Sequence, residues 1–167
     1  MNKSTDTPKP ATTDQTPETL SSLAEIKTDI IVKIIPTAGL QFYLYAFESP
    51  SYQINITNNS NPPPRSLWTV HRQEDESGYY YIQSYPDSHL YMTYVESVND
   101  VVLRAYSGND YQKWLILTAN GGEYYICTIA QARKYLSARL PLVDGTKIFT
   151  FSYAPDVYAQ RFAVVVV

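Results

Sequence analysis

Apolar and polar residues alternate in short segments along most of the chain, from Ile30 to the C-terminus. Alternation with a period of two places successive side chains on opposite faces of a strand, and these segments are rich in β-branched and aromatic residues. Turn residues separate them, and no segment after Asp29 has the period of a helix. The pattern therefore predicts an all-β chain. The twelve predicted strands are Ile30–Ile35, Phe42–Phe47, Tyr52–Thr57, Leu67–Val70, Tyr79–Ser84, Leu90–Tyr94, Val101–Tyr106, Trp114–Thr118, Glu123–Thr128, Tyr135–Ala138, Lys147–Phe151 and Arg161–Val166.

An internal repeat organises these strands. Three segments share a leading polar residue, an aromatic residue two positions later and an apolar strand behind it. The aromatic residues are Trp68, Trp114 and Phe162, and the gaps between them are 46 and 48 residues. A second landmark agrees, because Gly78–Ser84 (GYYYIQS) resembles Gly122–Thr128 (GEYYICT) 44 residues later. The three segments are SLWTV (Ser66–Val70), QKWLI (Gln112–Ile116) and QRFAV (Gln160–Val164).

The repeat length predicts the fold. A four-stranded unit of about 45 residues has one apolar face that it cannot bury alone. Three such units can close into a six-stranded barrel capped by three hairpins, which leaves little exposed strand edge. The sequence thus predicts a β-trefoil of three four-stranded repeats with pseudo-threefold symmetry over residues 29–167. Residues 1–28 are rich in Thr, Pro and Glu and poor in apolar residues, so they are predicted to form a disordered tail.

Composition excludes several classes of partner. The chain has 167 residues and a net charge of −3. Because phosphate-binding surfaces need clustered Lys and Arg, nucleic acid is not an expected partner. No apolar run approaches the ~20 residues that span a bilayer, and the first residues lack the apolar segment of a signal peptide. With Cys127 as the single cysteine, these features favour a cytoplasmic protein, or one released without a signal peptide.

No group of residues has the pattern of a catalytic or metal site. His71 and His89 are the only histidines, and neither has a distinctive partner in the sequence. Cys127 lies among apolar residues and is predicted to be a small buried side chain. A metal ion needs three or four ligands, and no His, Cys and Asp cluster has suitable spacing. The sequence predicts a non-catalytic protein without metal or cofactor.

A resemblance to a known family rests on the repeated motif. Gln112 and Trp114 form a Gln-x-Trp motif, and Gln160 and Phe162 form a weaker version at the expected repeat length. On these residues the chain resembles the ricin-B-type lectin family over nearly all of residues 30–167. The resemblance implies that the glutamine ties a turn to neighbouring backbone and that the tryptophan fills the core. It also implies carbohydrate binding, with a glycan or glycoprotein as the partner.

The resemblance further implies where a sugar would bind. Galactose-binding members carry an Asp early in the second strand, an aromatic residue in the third and an Asn before the Gln-x-Trp motif. The polar groups bond sugar hydroxyls and the ring covers the apolar sugar face. In the middle unit Thr93, Arg104 and Tyr111 stand at or near these positions, and the other units keep less of the set, so the sugar sites are eroded. The middle unit is the best candidate. Its predicted ligand-binding residues are Tyr94, Arg104, Asn109, Asp110 and Gln112.

Two alternatives use the same scaffold. Small fungal protease inhibitors of β-trefoil fold act through loops, and here a run of prolines ends at Pro64, just before Arg65. Because a proline-stiffened loop loses less entropy on binding, Arg65 could enter an acidic protease pocket as an inhibitory residue. Some insecticidal toxins carry Tyr-rich trefoil modules followed by a pore-forming part, which is not expected after the final FAVVVV. The second alternative is therefore a Tyr-rich protein-interaction or toxin-associated module.

Overall fold

The structure, a computed structural model, describes residues 29–47, 51–59, 64–73, 78–86, 89–130 and 133–167. The predicted disordered tail, residues 1–28, lies outside the described residues. Within them the chain forms strands joined by turns and short 3₁₀ segments, which confirms the all-β prediction. No helix in the described part of the chain is long and apolar enough to cross a membrane. The strands are β1 (Ile30–Pro36), β2 (Tyr43–Ala46), β3 (Ile54–Thr57), β4 (Leu67–Arg72), β5 (Tyr80–Tyr85), β6 (Leu90–Val95), β7 (Asp100–Ala105), β8 (Trp114–Thr118), β9 (Tyr124–Thr128), β10 (Tyr135–Arg139), β11 (Ile148–Phe151), β12 (Tyr158–Ala159) and β13 (Phe162–Val166).

The strands close on themselves. The antiparallel pairings run β5–β4–β1–β13–β9–β8, and a pairing of Tyr80 with Trp114 joins β8 back to β5. This makes a closed ring of six strands. Three hairpins flank it: β2–β3, β6–β7 and β10–β11. A pairing of Tyr135 with Cys127 connects β10 to β9 and completes a larger circuit of nine strands. Closure matters because it leaves few unpaired backbone groups at sheet edges.

The landmark aromatic residues belong to the hydrophobic core. Trp68, Trp114 and Phe162 are all fully buried. The indole of Trp68 donates to the carbonyl of Leu44 at 3.2 Å, and that of Trp114 donates to the carbonyl of Met92 at 3.0 Å. Leu44 lies in β2 and Met92 in β6, so each tryptophan fastens a hairpin to the barrel through a buried polar contact. Burial of a side chain of this size stabilises the fold by about 1.5–3 kcal/mol.

Some strand boundaries differ from the prediction. Tyr52 was expected to begin a strand, but its backbone is left-handed with a φ of 46°, and the regular pairing of β3 begins at Ile54. Its carbonyl still accepts from the amide of Leu103 at 2.8 Å, which links this segment to β7. The two-residue strand β12 was not predicted, because a pair such as Ala138 with Ala159 depends on contact with β10 and not on a local pattern.

Candidate functional site

The residues just before β8 form a tight turn, and this turn sets the direction of their side chains. Asn109 accepts a hydrogen bond from the amide of Tyr111 through its side chain at 3.2 Å, and its carbonyl accepts from the amide of Gln112 at 3.1 Å. These are the bonds of an Asn-capped 3₁₀ turn, here Asp110–Gln112. The turn buries Gln112 and leaves Tyr111 half-buried.

The buried amide of Gln112 uses all of its hydrogen-bonding capacity within the protein. Its Nε2 donates to Thr93 Oγ1 at 3.1 Å and to the carbonyl of Ala105 at 2.8 Å. Its Oε1 accepts from the amide and the hydroxyl of Ser107, at 2.7 and 3.0 Å. An amide side chain has two donor hydrogens and two lone pairs, so nothing remains for a ligand. Gln112 therefore positions the surrounding loop and does not contact a ligand by hydrogen bonding.

A surface cleft lies beside this turn. It has a volume of about 430 Å³ and opens between the end of β6, the end of β7 and the turn that follows. Tyr94 is buried with 4% of its surface exposed, whereas Arg104 and Asn109 are exposed. The lining residues are Thr93, Tyr94, Val95, Glu96, Ser97, Arg104, Ala105, Ser107, Asn109, Tyr111 and Gln112.

The charged and aromatic groups of the cleft are held in different ways. Tyr111 donates its hydroxyl to Glu96 Oε2 at 2.9 Å, and this bond to a carboxylate raises the pKa of Tyr111. Burial raises the pKa of Tyr94, whose hydroxyl donates to Asn99 Oδ1 at 3.2 Å. Among the described residues, the guanidinium of Arg104 makes no hydrogen bond or ion pair and is open to a ligand.

The cleft contains four of the five predicted ligand-binding residues. Tyr94, Arg104, Asn109 and Gln112 line it, and Asp110 does not. Asp110 instead accepts a hydrogen bond and ion pair from Lys113 at 2.9 Å.

Sequence reasoning missed the acidic group of the cleft. Glu96 lies just after β6, three residues beyond Thr93, where the family resemblance implies an acid. The available signal was the turn ESVND, in which polar residues follow a strand directly, but the position alone does not show that Glu96 faces Tyr111.

The predicted inhibitory loop is only partly described. Pro64–Ser66 forms a short 3₁₀ segment that leads directly into β4. Residues 60–63, which include two of the three prolines, lie outside the described residues. Arg65 is half-buried and takes part in contacts within the protein. The inhibitory role of Pro64 and Arg65 stays a prediction.

His71 has partners that the sequence did not reveal. Its Nδ1 lies 2.8 Å from Asp29 Oδ1, and its Nε2 contacts Gln83 Oε1. A carboxylate next to a histidine is one half of a catalytic arrangement, but a general base also needs a free nitrogen near a nucleophile. Both ring nitrogens are occupied here, so the arrangement ties β4 to β5 and to the start of β1. Within the described ranges, no group of three or more His, Cys, Asp and Glu residues could hold a metal ion.

Two clusters of tyrosines extend to the surface. Tyr91 and Tyr106 lie 5.1 Å apart between ring centroids, and Tyr81 packs edge-on against Tyr106 at 5.4 Å. The second cluster consists of Tyr125, Tyr135 and Tyr153, with centroid distances of 5.4–5.9 Å. Tyr106 and Tyr153 are more than half exposed, so each cluster offers one ring to a partner.

Comparison with known structures agrees with the barrel and hairpins described above. A designed threefold-symmetric protein, ThreeFoil, is 19% identical with a TM-score of 0.69, over 81% of this chain and 97% of its own. A mosquitocidal holotoxin is 13% identical with a TM-score of 0.73, over 83% of this chain and 17% of its own. A Polyporus squamosus lectin, bound to the epitope Neu5Aca2-6Galb1-4GlcNAc, is 16% identical with a TM-score of 0.69, over 83% of this chain and 49% of its own.

These similarities show the fold, which is a β-trefoil. The chain spans about half of the lectin and a sixth of the holotoxin, so in both cases it is similar to one part of a longer protein. No family model and no curated sequence match the chain.

Proposed function

We propose that this chain is a non-catalytic carbohydrate-binding module of ricin-B-like type, and that its sugar lies in the cleft beside the Gln112 turn. The proposal rests on the combination of charged and aromatic groups in this cleft. An unpaired guanidinium, a carboxylate and two tyrosine rings line one open space of about 430 Å³. That volume is in the range of small-ligand sites, which usually combine apolar walls with a few convergent polar groups.

The chemistry of the cleft suits a sugar. Arg104 can donate several hydrogen bonds to hydroxyl or acidic groups, and Glu96 can accept from hydroxyls while it holds Tyr111. The ring of Tyr111, which is half-buried and lies 6.2 Å from the buried ring of Tyr94, supplies the apolar surface that covers a pyranose face. The lectin of the same fold that was bound to a glycan supports this choice of ligand.

The sugar contacts in this proposal differ from those implied by the family resemblance. Thr93 stands where an Asp is expected, and its hydroxyl is already occupied. It donates to the carbonyl of Tyr91 at 2.8 Å and accepts from Gln112. The acidic acceptor is instead Glu96, which lies just after the same strand. The proposed site therefore differs from the family pattern in the position of its acidic residue.

We also propose that the fold is built from three four-stranded units. Equivalent contacts support this arrangement. Gln160 Nε2 donates to Ser137 Oγ at 3.0 Å and to the carbonyl of Ser152 at 2.9 Å, as Gln112 does to Thr93 and Ala105. The first unit would carry Ser66 in place of the glutamine.

A glycan array on protein shown to be folded tests the function. We expect binding to at least one class of glycan. Arg104→Ala and Glu96→Gln should each lower the affinity for that glycan by about tenfold or more, because each loses a charged hydrogen-bond partner. Asp110→Asn is the matched control, since Asp110 lies on the same turn but outside the cleft. A blank array at high protein concentration would remove the proposal. Equal binding by all three variants would place the sugar elsewhere.

A further inference from the structure

A second cleft lies where the β6–β7 and β10–β11 hairpins meet. Its volume is about 370 Å³, and it shares no lining residue with the cleft beside Gln112. The hairpins are joined here by the pairing of Phe149 with Asp100. The cleft thus depends on contacts between two hairpins and is separate from the proposed sugar site. The lining residues are Val98, Asp100, Arg139, Thr146, Lys147 and Phe149.

The charges of this cleft leave one cation unbalanced. Lys147 Nζ lies 2.5 Å from Asp100 Oδ2, so these two charges largely cancel. Arg139 is exposed and makes no hydrogen bond or ion pair in the described part of the chain. The three charged side chains therefore sum to a single positive charge. One negative charge complements them, and a doubly charged group would meet repulsion from Asp100.

An aromatic wall accompanies the cation. Phe149 is fixed by edge-on contacts with Tyr158, at 5.3 Å between ring centroids, and with Phe151, at 6.4 Å. Tyr158 stands opposite Arg139 in the pairing of β12 with β10, so the wall and the guanidinium lie on neighbouring strands of one sheet. Val98, which is 60% exposed, adds apolar surface. A preformed wall of this kind favours a ligand that also has an apolar face.

We infer that this second cleft binds a sugar residue that carries a carboxylate, such as a uronic acid. The guanidinium of Arg139 matches the geometry of a carboxylate, with two parallel N–H donors. Lys147 adds a donor that Asp100 holds in place, and the sugar ring lies against Phe149. A neutral sugar gains the ring contact without the charged bonds, and therefore binds more weakly.

The test is an NMR titration of isotope-labelled protein with D-glucuronate, D-glucose and benzoate. Glucuronate should shift amide signals around Arg139 and bind at least about tenfold more tightly than glucose, because only glucuronate forms charge-assisted bonds. Binding should weaken as salt rises, since salt screens the attraction. Benzoate has the carboxylate and an apolar ring but no hydroxyls. If it binds as tightly as glucuronate, the assignment to a sugar is wrong.

Matched variants separate this site from the first cleft. Arg139→Gln removes the charge at an exposed position and should reduce glucuronate affinity about tenfold or more while the spectrum of the folded protein is kept. Arg161→Gln, which removes a charge at an exposed ion pair outside both clefts, should leave glucuronate affinity unchanged. Equal affinities of wild type and Arg139→Gln overturn the inference. Because the inference does not depend on the first cleft, a blank glycan array with intact glucuronate binding rejects only the proposed function there.

Discussion

Gln112 Nε2 lies 3.1 Å from the hydroxyl oxygen of Thr93, and this contact crosses from the turn before β8 to the middle of β6. Both residues are buried, and Thr93 also donates to the carbonyl of Tyr91. A side-chain amide that is buried is costly unless all of its groups are paired. Here the pairing is complete, so the network joins both strands of the β6–β7 hairpin to the turn before β8.

Removal of this amide should destabilise the protein strongly. Gln112→Ala removes the side-chain partner of the Ser107 amide and the Ala105 carbonyl, and leaves the Thr93 hydroxyl bonded only to the carbonyl of Tyr91. We expect a loss of about 1–3 kcal/mol in the free energy of unfolding. Urea denaturation measures it. Asp110→Asn, on the same turn but at an exposed ion pair, should change stability by no more than about 0.5 kcal/mol. Equal effects of the two variants would contradict a structural role for the amide.

Two buried serines should respond in opposite directions to the same substitution. Among the described residues, Ser66 Oγ has no hydrogen-bond partner, so Ser66→Ala should raise the free energy of unfolding by up to about 1 kcal/mol. Ser137 Oγ donates to the carbonyl of Tyr135 and accepts from Gln160, so Ser137→Ala should lower it by about 1–3 kcal/mol. Thermal and urea unfolding of both variants tests the contrast. Destabilisation by Ser66→Ala would show that its hydroxyl does make a bond in solution.

Replacement of either tryptophan by phenylalanine should destabilise the protein. Trp114→Phe and Trp68→Phe each remove an indole donor from a buried carbonyl and leave a small cavity, at an expected cost of about 1–3 kcal/mol each. Because the chain has two tryptophans, each variant also isolates the fluorescence of the other. Both should emit at the short wavelengths of a buried indole. Emission at the wavelength of exposed tryptophan from either variant, with folding retained, would place that ring outside the core.

Stability should fall at alkaline pH. Burial raises the pKa of the Cys127 thiol from 9.0 to about 11, so between these values the folded state keeps a proton that the unfolded state has lost. The contribution to stability is therefore fully present below pH 9 and is lost as pH rises to about 11, by up to about 2–3 kcal/mol. Burial also raises the pKa of Tyr94 and Tyr124, which act in the same direction.

Urea denaturation at a series of pH values measures this loss. Cys127→Ala should show a shallower decline over the same window, because only the tyrosine contribution remains. A decline as steep as that of the wild type would mean that the thiol does not titrate with a raised pKa.

The alternation of apolar residues and the recurrence of Trp68, Trp114 and Phe162 determined the all-β class and the closed barrel. These features repeat along the chain, and the burial they encode is a property of each strand on its own. The turn before Trp114 was also predictable from local sequence, because the Asn109 side chain accepts from a backbone amide only two residues away. The grouping of Tyr94, Arg104 and Asn109 in one cleft was implied by the family resemblance, which assigned all three to a single candidate site.

Which charged side chains form ion pairs and hydrogen bonds became clear only from the three-dimensional contacts. Asp110 and Glu96 are both acids near the cleft, but one pairs locally with Lys113 while the other receives the hydroxyl of Tyr111 from 15 residues away. The pairing of Asp100 with Lys147, and the cleft beside it, likewise arise where two hairpins meet. Apolar burial leaves a periodic trace in the sequence. A polar contact depends on distance and direction between residues that are far apart in the chain, and it leaves no such trace.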